Sequence, residues 1–412
     1  MTTGLAAPLR LLVIGLNYAP EQIGIGPYTA GLCKTLAGFG HTVEVVAGAA
    51  YYPEWRRHPG QPRSGRRQVE NGVGVTRCRH FIPARPTGLK RILHLASFSL
   101  SALIPALRTA RRLRPQVVFT VVPSLLGVPT AWLAAKLAGA KLWIHVQDFE
   151  VEAAFATGLL GGNLLSRIAR RLESRLLRLG DSVSAISPQM VARLGAKGVP
   201  VARVYELRNW ANTGFAPDPE GAERYRREWQ LGTRKVALYA GNIANKQGIE
   251  LVVAAARLLR TREDLVFVIC GEGPNREPLA RLCAGLGNVQ LHGLQPAERM
   301  GGLLSLASVH LLPQIPGAAD LVLPSKLTNM LLSGRPVAAT ASPGTGLAGE
   351  VEGCGIVTPP GDAAAFAAAI ARLADDPDLA EALGARAQQR AGERWNREAI
   401  LRRFEARLGE LL

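Results

Sequence analysis

The chain has 412 residues, of which 48% are hydrophobic and 20% charged, and this ordinary globular composition excludes a disordered or collagen-like protein. No window of about 18 residues is apolar without a charge, so no transmembrane helix is expected, and residues 1–20 lack the pattern of a secretory signal. The net charge of +17 arises in residues 1–212, which hold 27 Lys and Arg against 10 Asp and Glu, whereas residues 213–412 hold 22 of each. A basic excess confined to one half predicts an anionic partner for that half.

Predicted strands and helices alternate through residues 1–212. Short continuous apolar runs are typical of strands buried in a parallel sheet, and longer runs with helical spacing predict the helices that cover it. The predicted strands are Leu11–Leu16, Val43–Gly48, Gln116–Val122, Lys141–Asp148 and Ser182–Ser187, and the predicted helices are Pro27–Gly38, Leu125–Leu137 and Asn163–Leu179. This order predicts a doubly wound α/β domain.

A polar segment at residues 212–234 separates this pattern from a second copy of it. The later predicted strands are Val236–Gly241, Val266–Gly271, Val289–Gly293, Val309–Pro313 and Pro336–Thr340, and residues 377–412 have helical spacing. We therefore predict an α/β fold of two Rossmann-like doubly wound domains facing a cleft, with domains at residues 1–212 and 213–393 and a last helix at 394–412. In such sheets ligands bind at the carboxyl ends of the strands.

The most basic part of the first half surrounds the mostly apolar run Ile92–Leu107. As a helix, this 16-residue run would be about 24 Å long, short of a hydrocarbon core of about 30 Å. Its flanking basic residues are Lys90, Arg91, Arg108, Arg111, Arg112 and Arg114. Basic flanks around an apolar face indicate a helix that lies in a membrane interface, and the alternative is a buried crossover helix. Nucleic acid is disfavoured because no zinc finger, basic-leucine pattern or aromatic RNA-binding strand is present.

The first strand is followed by a glycine-rich turn that contains Gly24 and Gly26. Glycine lets the backbone approach a ligand closely, and the N-terminus of the following helix favours anions. Position 29 is Thr29, so the turn is not a dinucleotide fingerprint, and an ordinary strand-to-helix turn is the alternative interpretation.

A similar turn in the second half carries Lys246 between Gly241 and Gly248. Backbone N–H groups with one lysine can hold a diphosphate without a metal ion. Further along, Glu272 follows a strand, where it can reach a ligand at the sheet edge.

Lys326 lies at the start of a predicted helix that Ser325 can cap. A cation near a helix N-terminus opposes the helix dipole, so its presence there favours an anionic ligand nearby. His145 and Asp148 lie at the carboxyl end of another apolar strand and are candidate catalytic residues, with a hydrogen-bonded surface loop as the alternative.

Neither a metal nor a cofactor is expected. The five cysteines are scattered without a CxxC pair, which disfavours a zinc site and a disulfide framework and favours a reducing cytoplasm. The acidic run at 375–378 precedes a helix, where we expect it to cap the helix rather than bind metal.

Several motifs occur in one order along nearly the whole chain. They are NYAPE and GIGPYT near the start, YYPEW at 51, VQDFE at 146, SP at 187, RNW at 208, GN with KQG from 241, GEGP at 271, and PSKLTN with SGRPV from 324. Together they resemble the family 4 retaining glycosyltransferases of the two-domain GT-B fold, and within that family the colanic acid biosynthesis group of WcaI.

The resemblance implies a nucleotide-sugar donor held mainly by the second domain. Lys246 matches the family's diphosphate-binding lysine, and Glu272 lies where the family binds base and ribose. Asn329 replaces the ribose-binding glutamate of the family's E-x7-E motif, and Asp320 neighbours the position of the other glutamate. Asn242 stands where the family usually has arginine, and Lys326 is a candidate replacement for that cation.

The resemblance also implies a mechanism and a location. Lys246, Lys326 and the backbone of Gly24–Gly26 would stabilise the leaving diphosphate, with retention of configuration and no metal, while His145 and Asp148 would orient the donor sugar or acceptor. The acceptor would be a lipid-linked saccharide at the cytoplasmic face of an anionic membrane, and the last helix would cross back to the first domain. A sugar-nucleotide 2-epimerase of the same fold and a non-catalytic binding subunit are the alternatives.

Overall fold

The computed structural model describes residues 7–21, 24–61, 64–84, 88–151, 163–211, 215, 217–243, 247–315 and 325–412. The chain forms two compact units, Met1–Asn209 with Glu398–Leu412, and Trp210–Arg397. The division falls a few residues before the predicted linker boundary, and the last segment joins the first unit a few residues later than predicted.

The described part of the first unit contains one mainly parallel sheet. Its strands are β1 (Arg10–Gly15), β2 (Thr42–Gly48), β3 (Arg67–Glu70), β4 (Val73–Cys78), β5 (Val117–Val122), β6 (Lys141–Val146), β7 (Ser182–Ala185) and β8 (Val204–Glu206). They lie in the order β3-β4-β2-β1-β5-β6-β7-β8, and only β3 is antiparallel to its neighbour among the strands described. The central strands are apolar because helices cover both faces of the sheet.

Five helices follow the strands of this sheet within the described residues before residue 210. They are α1 (Gly26–Gly38), α2 (Gly88–Leu113), α3 (Val128–Ala138), α4 (Asn163–Leu177) and α5 (Pro188–Ala196). Helices α2 and α3 pack on one face, where Leu12, Val118 and Ile144 alternate along the strands with side chains that face the other way. This face holds an extended hydrophobic core.

Helix α2 is longer than the apolar run predicted from the sequence. It spans 26 residues, about 39 Å at 1.5 Å per residue, and among the described residues it alone is long and apolar enough to cross a membrane. The uncharged apolar run between Arg91 and Arg108 is still only 16 residues, so the expectation of no transmembrane helix stays a prediction. Its buried side, which includes His94, Phe98 and Ala102, packs on the sheet between β4 and β5, so α2 is a crossover helix with one exposed face.

The described residues of the second unit form a parallel sheet. Its strands are β9 (Lys235–Ala240), β10 (Leu265–Cys270), β11 (Val289–His292), β12 (Val309–Leu312), β13 (Val337–Thr340) and β14 (Gly355–Thr358), in the order β11-β10-β9-β12-β13-β14. The helices are α6 (Pro219–Glu228), α7 (Ile249–Leu258), α8 (Arg276–Cys283), α9 (Met300–Leu306), α10 (Ser325–Leu332), α11 (Gly346–Val351), α12 (Ala363–Asp375) and α13 (Pro377–Arg394). Apolar cores lie on both faces of the sheet.

The last helix, α14 (Arg397–Leu411), belongs to the first unit from Glu398 onward. Its Phe404 is fully buried, with its ring 4.9 Å from that of Trp143. Its Glu405 lies 3.0 Å from Nε2 of His41, and because the Leu9 N–H donates to Nδ1 of the same ring, Nε2 carries the hydrogen and donates to Glu405. A buried hydrogen bond and an aromatic contact thus hold α14 on the first sheet.

Candidate functional site

The turns after β9 and β10 in the second unit are joined through their backbones. The Tyr239 hydroxyl donates to the Asn242 carbonyl at 2.7 Å, and the Ile243 N–H donates to the Glu272 carbonyl at 2.9 Å. Asn242 therefore lies at the carboxyl edge of the sheet, where the sequence placed a donor-binding residue.

Glycine is required where these two turns meet. Gly271 has a φ of +157°, and a Cβ there would overlap the carbonyl oxygen of Gly241. Gly273 has the same φ, and a Cβ there would overlap the carbonyl oxygen of Ile243. Any side chain at either position would separate the turns, so the glycines keep backbone groups close together at the edge that binds ligands in such sheets.

Lys326 reaches this edge from the first turn of α10. Its Nζ donates to the Tyr239 hydroxyl at 3.1 Å and lies 4.3 Å from the centroid of that ring. A Cβ on Gly241 would lie only 3.3 Å from the same Nζ, so the lysine packs against the glycine turn. Burial lowers the pKa of Lys326 to about 7, and no carboxylate contacts it within the described ranges. A cation in this position is suited to bind an anionic ligand.

Glu272 lies just after the end of β10, near the end of β11. Its side chain is 56% exposed and lies 3.5 Å from the guanidinium of Arg276, which also donates to the carbonyls of Gly271 and His292. Arg276 thus fixes the ends of β10 and β11, and Glu272 remains accessible to a polar ligand.

Of the other candidate donor-binding residues, two lie on α10 and two lie outside the described residues. Asn329 is half-buried on α10, one turn after Lys326, and its carbonyl accepts a hydrogen bond from the Ser333 N–H. Ser325 is the first residue of α10. Lys246 and Asp320 lie outside the described residues, so their predicted roles are carried by the sequence alone.

In the first unit, His145 lies within β6 and is only 4% exposed. Its Nδ1 lies 2.9 Å from the Ser184 hydroxyl and its Nε2 lies 3.0 Å from the Gln147 amide nitrogen. Gln147 also forms a reciprocal amide pair with Asn209, which orients its NH₂ group toward Nε2. Nε2 is therefore the acceptor and Nδ1 carries the hydrogen.

This network occupies both nitrogens of the His145 ring, and burial lowers the pKa of the ring to about 3. The ring is neutral at physiological pH and holds Gln147 and, through it, Asn209. A direct contact of His145 with a substrate stays a prediction, and in this structure the ring is a positioning group within the first unit.

Asp148 follows β6 and is half-buried, and a second carboxyl group lies beyond it at Glu150. Glu150 accepts a hydrogen bond from the Leu125 N–H at 2.7 Å. Burial raises the pKa of Glu150 to about 7, and the hydrogen bond from the Leu125 N–H and the charge of Arg91 oppose the shift. The sequence analysis missed this carboxyl group, although its position two residues after Asp148 was a signal for it.

Gly24 and Gly26 lie in a turn that packs on a buried carboxylate. Glu21 accepts hydrogen bonds from the Tyr51 N–H at 3.0 Å and from the Tyr52 N–H at 3.2 Å. A Cβ on Gly26 would lie 2.9 Å from the Glu21 side chain, and Gly24 has a φ of +74° beside the Tyr52 ring. Packing therefore accounts for both glycines, and their contact with a ligand stays a prediction.

The exposed face of α2 is apolar along most of its length. Leu89 is 72% and Leu100 is 74% exposed, and Leu93 and Ile104 are also exposed. At 100° per residue, these four side chains lie within about 60° of one another around the helix.

The six basic residues around α2 differ in their surroundings. All six are exposed. Arg112 also forms an ion pair with the buried Glu44 at 3.0 Å, and the Arg114 carbonyl accepts a hydrogen bond from the Arg10 side chain. Glu44 pairs with both Arg67 and Arg112, so it offsets part of the charge of Arg112, and we expect Arg112 to contribute less than its neighbours to any attraction for an anionic surface.

Among the described residues, no three His, Cys, Asp or Glu side chains are grouped to hold a metal ion. In the acidic run, Asp376 caps α13 by accepting from the Leu379 N–H, and Asp375 pairs with Arg262.

Comparison with known proteins defines the class of this chain. Residues 24–210 match the family described as "Glycosyl transferase 4-like domain", and residues 234–376 match "Glycosyl transferases group 1". The chain is 38% identical over 341 residues to the colanic acid biosynthesis glycosyl transferase WcaI of Escherichia coli (strain K12), which covers 81% of this chain and 83% of that protein. The protein is a glycosyltransferase, and it belongs to family 4 with WcaI.

Solved structures confirm the predicted GT-B fold. The sucrose-phosphate synthase from Thermosynechococcus elongatus superposes with a TM-score of 0.75 at 20% identity, covering 98% of this chain and 99% of that one. HepE from Anabaena, solved in complex with UDP, superposes with a TM-score of 0.72 at 14% identity, covering 98% and 100% of the two chains.

Proposed function

We propose that this glycosyltransferase moves a sugar from a nucleotide-sugar donor to a lipid-linked saccharide, with retention of configuration and without a metal ion. The reaction would take place at the cytoplasmic face of an anionic membrane, in exopolysaccharide assembly of the colanic acid type. The similarity to WcaI supports the pathway class, and HepE, whose fold this chain shares, binds UDP.

The observation that carries the donor site is the half-buried Lys326 at the edge of the second sheet. It lies against the Gly241 turn without a carboxylate partner in the described ranges, so a diphosphate would supply the missing negative charge. Glu272 and Asn329 would then contact the base or ribose, and Lys246 the diphosphate, as the family resemblance implies.

The chemistry of the proposed step is departure of a nucleoside diphosphate. Negative charge grows on the diphosphate as the bond to the sugar breaks, and a cation already fixed beside it stabilises that charge without reorganisation. Lys326, held by Tyr239, satisfies this requirement within the second unit. Replacing Lys246 by Ala should lower transfer by about 10²-fold or more if it shares this role, and near-normal transfer would remove it from the mechanism.

Nucleotide binding is the direct test of the donor site. Thermal unfolding would be followed with UDP, GDP, ADP, CMP and NAD, each with and without EDTA. A ligand at about 100 times its Kd adds about 2.7 kcal/mol to the free energy of unfolding. A shift with one nucleoside diphosphate that EDTA leaves unchanged would support the proposal, whereas no shift with any nucleotide would favour a non-catalytic subunit.

Turnover separates transfer from the alternatives of the same fold. A transferase releases nucleotide only as the acceptor gains a sugar, whereas a 2-epimerase changes the donor without transferring the sugar to an acceptor. Donor incubated with lipid-linked saccharide extract would be analysed for both products, and a changed sugar nucleotide with no glycosylated lipid would contradict the transferase proposal.

The apolar face of α2 is the proposed membrane contact. Leucine and isoleucine side chains on that face would enter the interface, and each nearby lysine or arginine would add about 1 kcal/mol of attraction to anionic lipids. The exposed arginines to neutralise are Arg108 and Arg111, and the matched control is Arg112, whose charge Glu44 partly offsets.

Sedimentation with phosphatidylglycerol-containing vesicles would measure this binding. We expect the double change of Arg108 and Arg111 to Gln to weaken binding by about tenfold or more, and Arg112→Gln to have a much smaller effect. Changing Leu100 and Ile104 to Ser should also release the protein. Equal binding by all these variants would refute the membrane contact without affecting the donor site.

A further inference from the structure

Lys326 has an unusual environment for a residue that binds phosphate. Its ammonium has one described hydrogen-bond partner, the Tyr239 hydroxyl at 3.1 Å, and its Nζ lies against the face of the same ring. The Tyr239 hydroxyl gives its own hydrogen to the Asn242 carbonyl at 2.7 Å, so its oxygen is oriented to accept from the lysine. The phenol therefore links the cation to the turn after β9.

The surroundings of the ammonium contain few charges. Tyr239 is the titratable group in contact with it from β9, and the Gly241 turn brings no charged side chain among its described residues. Glu250, on α7, acts electrostatically on Tyr239, and α10 itself contributes the uncharged Asn329 nearby. Burial alone lowers the pKa of Lys326 to about 7, so about half of the empty sites carry the charge at neutral pH.

We propose that Lys326 binds the donor diphosphate as an ammonium group that takes up a proton from solvent when the donor binds, and that Tyr239 is the positioning residue that holds it for this purpose. The inference rests on the proposed donor site in the second unit. It adds that donor affinity depends on pH through one named residue.

The physical reason is the change in electrostatic environment. A diphosphate places at least two negative charges beside the amine, which favours the charged form and offsets the loss of hydration. One N–H bond forms, from the lone pair of the amine nitrogen and a proton released by water or buffer acid, and no other bond in the protein changes. Protons taken up on binding and the fall of affinity at higher pH are then two measures of the same linkage.

Calorimetric titration with GDP and with UDP tests the proposal on the full-length protein. The terminal phosphate of each nucleotide has a pKa near 6, so titrations above pH 7.5 report mainly on the protein. With a pKa of about 7 in the empty site, binding at pH 8.0 should take up about 0.9 of a proton, measured from buffers of different ionisation enthalpy. The Kd should rise about eightfold between pH 7.5 and 8.5.

Two variants distinguish this linkage from general effects on the site. Lys326→Arg keeps a permanent charge, so it should bind with little dependence on pH and define the baseline for the nucleotide's own proton. Tyr239→Phe removes the acceptor for the ammonium, which should lower the pKa of Lys326 further in the empty site. After subtraction of the Lys326→Arg baseline, this variant should therefore take up more than the wild-type fraction of about 0.5 proton at pH 7.0. A change in folding alone would not alter the number of protons.

The outcomes separate this inference from the function on which it rests. Wild-type binding with no more proton uptake than Lys326→Arg would overturn the inference and leave the donor site in place. Unchanged proton uptake in Tyr239→Phe would remove Tyr239 from it. If GDP, UDP, ADP and CMP all fail to bind at any pH, the proposed donor site fails, and the inference fails with it.

Discussion

Replacing Lys326 by Met should stabilise the second unit, most strongly at low pH. Burial lowers the pKa of this lysine from 10.5 to about 7. Between these pH values the unfolded chain binds more protons than the folded chain, so the free energy of unfolding rises with pH through that window. The buried charge therefore lowers the free energy of unfolding by on the order of 4 kcal/mol at pH 7, 2 kcal/mol at pH 9 and less than 1 kcal/mol at pH 10.

Urea unfolding of the second unit at pH 7 and pH 10 measures this effect. Met is an unbranched side chain that can fill the same space, so the gain at pH 7 should shrink at pH 10. The matched control is Lys235→Met, because Lys235 lies 3.5 Å from the carboxylates of Asp264 and Asp375. Loss of this favourable charge should lower the free energy of unfolding of the variant. An equal gain at both pH values, or no gain at pH 7, would refute the assignment of the penalty to buried charge.

Two further predictions concern the backbone at the site and the attachment of the last helix. Gly271→Ala should destabilise the second unit by about 3 kcal/mol or more and abolish nucleotide binding, because the added Cβ overlaps a carbonyl oxygen. Gly195→Ala should have neither effect, because the space around Gly195 is open. Thermal unfolding and nucleotide titration would check both variants. Glu405→Ala should destabilise the first unit by about 2 kcal/mol, because it leaves the buried Nε2–H of His41 without an acceptor, and normal urea unfolding of the variant would show that α14 is held in another way.

The apolar strands of both units could be predicted because they are continuous buried runs. The predicted Lys141–Asp148 corresponds to β6, and the predicted Val266–Gly271 corresponds to β10. Four strands were missed. Strand β3 is polar and three of its four residues are exposed, β4 carries Thr76 and Arg77 in a buried strand, and β8 and β14 are only three and four residues long. Helix α2 was predicted too short because its ends are basic, although the same charges continue the helix beyond the apolar run.

The sequence predicted only those residues of the candidate site that follow directly after a strand. Asn242 and Glu272 lie at such ends, as the alternation of strands and helices indicates. The contact between Lys326 and Tyr239 joins residues far apart in the chain, and no local pattern predicts it. For His145 the strand was predicted correctly, but the burial of its side chain against Phe119 was not.

The net charge of the chain and the electrostatics of its proposed donor site are separate properties. The excess charge of +17 lies in the first half, where exposed arginines act through water and are screened by salt beyond about 10 Å. The second half is neutral overall, yet it holds the cation proposed to bind the diphosphate, because a half-buried ammonium acts over a few ångströms at a lower effective dielectric constant. Composition therefore predicts attraction to an anionic surface, whereas donor binding depends on how Tyr239 and Gly241 enclose one lysine.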